Sequence, residues 1–165
     1  MFNVSKYNIS SRINMTTLVS FVGNNLRTNW TGWVGFTFTV GQINMSVTHL
    51  GRYFTVGSGG NITSAIHTSA GVMLASATIV ATTNDWSYTP LSIPLVLNSG
   101  NSYFMASLET NGNANNWYDS LAVSEWVPDI TNIKDGYTGP SPFTSVGTRG
   151  FINNSYGPPN FKYYL

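Results

Sequence analysis

The sequence predicts an all-β protein, an antiparallel β-sandwich or jelly roll that forms a single domain over residues 1–165. Three observations lead to this prediction. Apolar and polar side chains alternate with a period of two along most of the chain, as in strands with one buried face. Clusters of Gly, Asn and Ser separate these segments, which is typical of hairpins. Charged residues make up only 8% of the chain, too few to line the wet faces of helices.

The first half of the chain contains four predicted strands. Residues 33–40 (WVGFTFTV) alternate large apolar side chains with small or polar ones, and residues 43–50 and 62–67 keep the same rhythm. Residues 72–80 (VMLASATIV) are apolar almost throughout, which indicates a strand that is buried more continuously. The glycine-rich residues 57–61 predict a tight turn between strands.

Four further strands are predicted in the second half, at residues 91–97, 103–108, 121–126 and 148–153. Pro94 interrupts the first of them, and because proline cannot donate to a ladder it indicates an edge strand or a bulge. Residues 135–144 (DGYTGPSPFT) contain two glycines and two prolines and predict a loop. Residues 1–12 are polar and lack a core pattern, which fits a loose terminus, a peripheral strand or an arm that pairs with a neighbouring chain.

Composition excludes several classes of function. The formal net charge is +1 and basic residues form no stripe, so we expect no nucleic-acid partner. No apolar run approaches the roughly 20 residues of a transmembrane helix, so we expect no membrane insertion. The absence of cysteine excludes disulfides, thiolate metal sites and cysteine nucleophiles. The start of the chain lacks the pattern of a signal peptide, and we expect a freestanding domain.

Catalytic groups are sparse, and we predict that the protein is not an enzyme. His49 and His67 lie on separate predicted strands with no acid at ligand spacing, and no G-x-S-x-G nucleophile motif occurs. Glu109 and Asp119 flank one loop, where two carboxylates suit a glycosidase, a salt-bridge pair or a cation site. Residues 109–115 are rich in oxygen ligands but poor in acids, so we predict no cofactor and keep structural Ca²⁺ as the alternative.

Aromatic side chains beside Asn and Asp indicate a glycan site. Sugar rings present apolar C–H faces edged by hydroxyl groups, so their sites pair a flat aromatic ring with polar side chains. The predicted ligand-binding residues are Asn116, Trp117, Tyr118, Asp119, Glu109 and Trp86. The same aromatic residues would also suit the ends of a sandwich core or a protein–protein interface.

The order and spacing of several segments resemble a β-sandwich accessory module of large secreted bacterial proteins, found there beside glycoside hydrolase, lectin-like and Ig-like domains. The matching segments are residues 26–40, 47–53, 71–76, 95–103, 107–110, 117–119 and 156–163. The resemblance implies a non-catalytic module with a carbohydrate-binding or adhesive role. Asn116 stands where the module has an aspartate, which weakens the case for a cation or a charged ligand.

The charged residues at matching positions are Arg27, Arg52, Glu109 and Asp119. In a chain with so few charges, we expect an arginine–carboxylate bridge among them to tie the sheets together.

Two functions follow from these observations. A freestanding, cysteine-free and nearly uncharged sandwich suits the surface of a bacteriophage virion, as a capsid decoration protein, head fibre or tail appendage. Such a protein would self-associate, dock on capsid or tail proteins and contact host surface glycans. The alternative is a carbohydrate-binding or adhesion module of a secreted bacterial protein, located outside the cell.

Overall fold

A computed structural model of the chain describes residues 15–82, 84–112, 117–140, 146–148, 153, 155–156 and 159–165, of which 19–25 and 117–125 are described by their backbone alone. These residues form β-strands and no helix. The strands are β1 Thr16–Thr17, β2 Val19–Arg27, β3 Gly32–Val40, β4 Met45–Phe54, β5 Asn61–Thr68, β6 Met73–Val80, β7 Asp85–Leu97, β8 Ser102–Glu109, β9 Trp117–Trp126, β10 Ile130–Thr138 and β11 Pro159–Tyr164.

Two antiparallel sheets pack against each other, which confirms the predicted β-sandwich. One sheet has four strands in the order β1-β11-β4-β7, and the other has five in the order β10-β3-β8-β5-β6. Strands β2 and β9 pair separately, and Trp126 of this pair packs edge-on against Phe36 of the five-stranded sheet. The described residues contain no helix long and apolar enough to cross a membrane.

Most predicted strands are confirmed, and the differences have physical reasons. The strand predicted at residues 72–80 forms as β6, but its predicted continuous burial is wrong, because β6 lies at the edge of its sheet and only Ile79 is buried. The strand with Pro94 extends over Asp85–Leu97 as β7 and lies at the edge of its sheet, as its proline predicts. The loop predicted at residues 135–144 is wrong at residues 135–138, which end β10. A register shift between Thr131 and Lys134 breaks the alternation of β10, so its pattern does not look like a strand.

The ends of the chain differ from the sequence predictions in part. Thr148 lies outside any strand and Asn153 lies in a turn, so the strand predicted at residues 148–153 does not form at either end. Residues 149–152 and the predicted arm at residues 1–12 lie outside the described part of the chain. The first described strand, β1, pairs with β11.

The space between the sheets is filled mainly by aromatic and branched side chains. Phe36 and Phe38 of β3 are fully buried there, and Phe38 lies 5.6 Å, centroid to centroid, from Phe161 of the opposite sheet. Because side chains alternate along a strand, Trp33 of β3 faces the other side of the five-stranded sheet. There it forms a second buried cluster with Phe104, and its indole Nε1 donates to the carbonyl oxygen of Pro140.

Candidate functional site

A buried ion pair joins the two sheets at one end of the sandwich. Arg52 of β4 donates from Nη2 and Nε to Oε1 of Glu109 on β8, at 2.9 and 3.0 Å. Ser107 donates to the same oxygen at 2.7 Å, and the guanidinium also lies 4.9 Å from the ring centroid of Phe54. Both charged side chains are almost fully buried. This is an arginine–carboxylate bridge between sheets, and Glu109 therefore lies beneath the surface that a sugar would contact.

The predicted aromatic loop is described only in part. The backbone of Trp117 and Tyr118 begins β9 and pairs with that of Arg27 and Leu26, so the structure brings Arg27 to the start of this segment. Asn116 and the side chains of Trp117, Tyr118 and Asp119 lie outside the described part of the chain. Their roles as glycan ligands therefore stay predictions.

The loop before β3 holds the end of β8 in place. Gly112 donates its N–H to the carbonyl of Thr28 at 2.7 Å, and Asn111 donates to Oγ1 of Thr31 at 3.0 Å. Arg27 precedes this loop, and its Nε donates to Oδ1 of Asn29 at 2.8 Å.

The remaining predicted ligand, Trp86, lies in a row of three aromatic side chains on the outer face of the four-stranded sheet. Tyr53 of β4 is its cross-strand neighbour, with ring centroids 5.5 Å apart at 76°. Tyr88 follows two residues later on the same face of β7, with centroids 6.1 Å apart and planes only 25° from parallel. All three rings are partly exposed. We call Tyr53, Trp86 and Tyr88 the aromatic row.

Contacts with the sheet fix the geometry of the aromatic row. Gly51 lies opposite Tyr88, and a Cβ at this glycine would collide with the Tyr88 ring, so the ring lies close against the backbone of β4. Asn160 donates from Nδ2 to the Tyr88 hydroxyl at 3.1 Å, and Lys162 places its ammonium 4.3 Å from the ring centroid. Burial is the main cause that raises the pKa of Tyr88 above its ordinary value, so the phenol stays neutral.

Polar groups stand around the row. The Tyr53 hydroxyl donates to Oδ1 of Asn84 at 3.0 Å, and Asn84 adopts the left-handed backbone (φ 52°) that turns the chain into β7. Of the three rings, the sequence predicts only Trp86 as a ligand. Tyr88 lies two residues further along β7, outside the strand predicted at residues 91–97, and Tyr53 comes beside Trp86 only through the β4–β7 register.

The two histidines lie on different sheets. His49 is on β4, with Nδ1 2.9 Å from the hydroxyl of Thr48, and burial and the charge of Lys162 lower its pKa. His67 is buried on β5 with its ring 4.9 Å from that of Trp33, and burial lowers its pKa as well. Within the described ranges, no three His, Asp or Glu side chains gather where they could hold a metal ion.

No family model matches the chain, and no curated protein matches it. The resemblance to a secreted bacterial module stays a prediction.

Proposed function

We propose that this protein is a non-catalytic recognition module that binds a glycan on the aromatic row. The row is the single observation that carries this proposal, since it offers exposed ring surface on a rigid sheet. A sugar ring can lay its C–H face on Trp86, the central ring, while its hydroxyl groups face polar neighbours. Asn84 and Lys162 supply those neighbours at the two ends of the row.

The sheet favours binding because it holds the rings before a ligand arrives. Tyr88 is held by Gly51 and Asn160, and Tyr53 is held by Asn84. Ligand binding then orders few side chains, and this lowers the entropic cost of association. Two of the described acids are engaged in structural contacts, since Glu109 contacts Arg52 and Asp129 accepts a hydrogen bond from Tyr163. This favours binding over catalysis.

The proposal predicts that Trp86→Ala weakens glycan binding by at least about tenfold, which corresponds to about 1.4 kcal/mol. A glycan array identifies a ligand for the wild type, and calorimetry then compares the variants. Tyr164→Ala is the control, since Tyr164 is also a partly exposed aromatic residue of this sheet but lies near the other end of β4, opposite Ser46. The proposal fails if Trp86→Ala binds as tightly as the wild type, or if the wild type binds no glycan.

A second candidate function is the virion surface protein, and an exposed apolar surface favours it. Strand β6 ends the five-stranded sheet, β7 ends the four-stranded sheet, and the two strands lie beside each other. Their large exposed side chains include Met73, Leu74, Val80, Ile93 and Val96, with Ile93 78% exposed. Strand β6 has neither proline nor charge, the usual devices that stop an edge from pairing with another chain. We infer that this surface pairs with a second copy of the chain.

Self-association through this edge predicts that light scattering finds a dimer or larger assembly, and that Leu74→Lys makes it monomeric. A lysine on the edge of β6 would have to lose its hydration where the second copy binds. Val56→Lys is the control, because Val56 is 68% exposed but lies in the turn after β4. A wild type that is monomeric at all concentrations, or a Leu74→Lys variant that still assembles, would contradict this candidate.

A further inference from the structure

We infer that the glycan bound by the aromatic row is acidic, and that Lys162 binds its anionic group. The inference rests on the function proposed for the row, and it adds the chemical class of the ligand. Lys162 lies on β11 at the Tyr88 end of the row, with its ammonium 4.3 Å from the centroid of the Tyr88 ring. A carboxylate, sulfate or phosphate on a sugar at this end would meet a positive charge.

The ammonium of Lys162 keeps its N–H donors for a ligand. Its described contact is with the Tyr88 ring, which attracts the positive charge but is not an oxygen or nitrogen acceptor. The cross-strand neighbours of Lys162 are Thr17 on β1 and His49 on β4, and neither is an acid. In the part of the chain described with side chains, no carboxylate lies within ion-pair distance of Lys162.

The phenol of Tyr88 is a second donor beside the ammonium. Asn160 donates to the phenol oxygen at 3.1 Å, so this bond uses a lone pair and leaves the O–H proton to donate. Burial raises the pKa of Tyr88, so the phenol keeps that proton at neutral pH. An oxyanion at this end can therefore accept hydrogen bonds from both the phenol and Lys162. Such bonds are stronger than those between neutral groups because one partner is charged.

The other charged groups near the row also favour an anion at the Tyr88 end. Asp85 begins β7 beside Trp86, and its Oδ1 accepts the backbone N–H of Trp86 at 2.7 Å. Its carboxylate would repel an anion at the Trp86 end. His49, opposite Lys162, adds no negative charge. The row thus has a negative end and a positive end, so an acidic sugar has one favoured orientation along it.

The difference between acidic and neutral ligands identifies the class, because a neutral hydroxyl group can also accept a hydrogen bond from Lys162. An oxyanion in place of that hydroxyl adds an attraction between opposite charges. Lys162 is partly exposed, so solvent and salt weaken this attraction. We therefore expect a moderate preference for the acidic ligand that depends on salt concentration.

The test uses a glycan array that carries neutral glycans beside their uronate, sulfated and phosphorylated forms, which shows which acidic group binds. Calorimetry then compares the best acidic ligand with the neutral form that lacks only the acidic group. At about 0.01 M salt we expect the acidic form to bind at least about fivefold more tightly, and at about 1 M salt most of this preference should disappear. Equal affinity for the two forms at low salt would overturn the inference.

Two lysine variants show whether Lys162 recognises the anion. Lys162→Gln removes the charge but keeps an N–H donor, so it should lower the preference to less than about twofold while neutral binding changes little. Lys134→Gln is the matched control, since Lys134 is an exposed lysine on β10 of the other sheet, and it should keep the full preference. A folded Lys162→Gln variant with the full preference, or a control that loses it, would overturn the inference.

The same measurements separate this inference from the proposed function. If the wild type binds neutral forms as tightly as acidic ones and Trp86→Ala weakens both, the inference fails and the proposed function stands. If Lys162→Gln removes the acidic preference but Trp86→Ala binds as tightly as the wild type, the proposed function fails and recognition of an anion by Lys162 stands. A wild type that binds no glycan would overturn both.

Discussion

Glu109→Ala is expected to lower the free energy of unfolding by about 3–5 kcal/mol, because it leaves the charge of Arg52 buried between the sheets without its carboxylate. Arg52 is completely buried, so water cannot replace the lost partner. Ser107 also loses the acceptor of its 2.7 Å hydrogen bond. For a chain of 165 residues, this loss corresponds to a fall in melting temperature of about 6–20 °C.

Urea unfolding followed by tryptophan fluorescence measures this effect, and two further variants show its cause. Lys134→Met removes an exposed charge and should change stability by less than about 0.5 kcal/mol. The double variant Arg52→Met with Glu109→Leu removes both charges and should be more stable than Glu109→Ala, since no unpaired charge stays buried. A single variant that is as stable as the wild type, or a double variant that is less stable than Glu109→Ala, would contradict a role for the paired charges.

Local pattern predicts the strands of this protein well where alternation is regular. Along residues 34–40 of β3, inward valine and phenylalanine side chains alternate regularly with outward glycine and threonine, so the sequence predicts this strand. The sequence does not predict strand β10, because its bulge shifts the register and because Gly136 has no side chain that could show which face of the strand is buried. That glycine has a tertiary reason, since the Phe104 ring occupies the space where a Cβ would lie.

The candidate sites are formed by residues that lie far apart in the sequence, so their contacts cannot be predicted from local pattern. Arg52 and Glu109 are 57 residues apart, and the scarcity of charge makes both residues conspicuous without showing that they pair. Tyr53 joins Trp86 only through the register of β4 and β7. The fold brings the ring of Trp30 beside that of Tyr137, which the pattern assigns to a loop. Individual candidate residues can thus be predicted from the sequence, but which of them lie together in one site follows only from the sheet topology.

Phe38→Ala is expected to cost about 3–5 kcal/mol, since it removes the ring that connects the two sheets at the centre of the core. Phe38 is completely buried, and its centroid lies 5.8 Å from Phe36, 5.9 Å from Tyr103 and 5.6 Å from Phe161. The truncation loses apolar burial and leaves a cavity that rings from both sheets can fill only in part.

Two milder variants test that explanation by urea unfolding. Phe38→Leu retains most of the volume and should cost about 1–1.5 kcal/mol, well below the alanine variant. Thr37→Ala changes the next residue of β3, whose side chain faces away from the space between the sheets, and should cost less than about 1 kcal/mol. If Phe38→Ala were no more damaging than Thr37→Ala, the sheets would not depend on this aromatic contact. The expected order is Thr37→Ala, Phe38→Leu, Phe38→Ala, because stability should follow the volume removed from between the sheets.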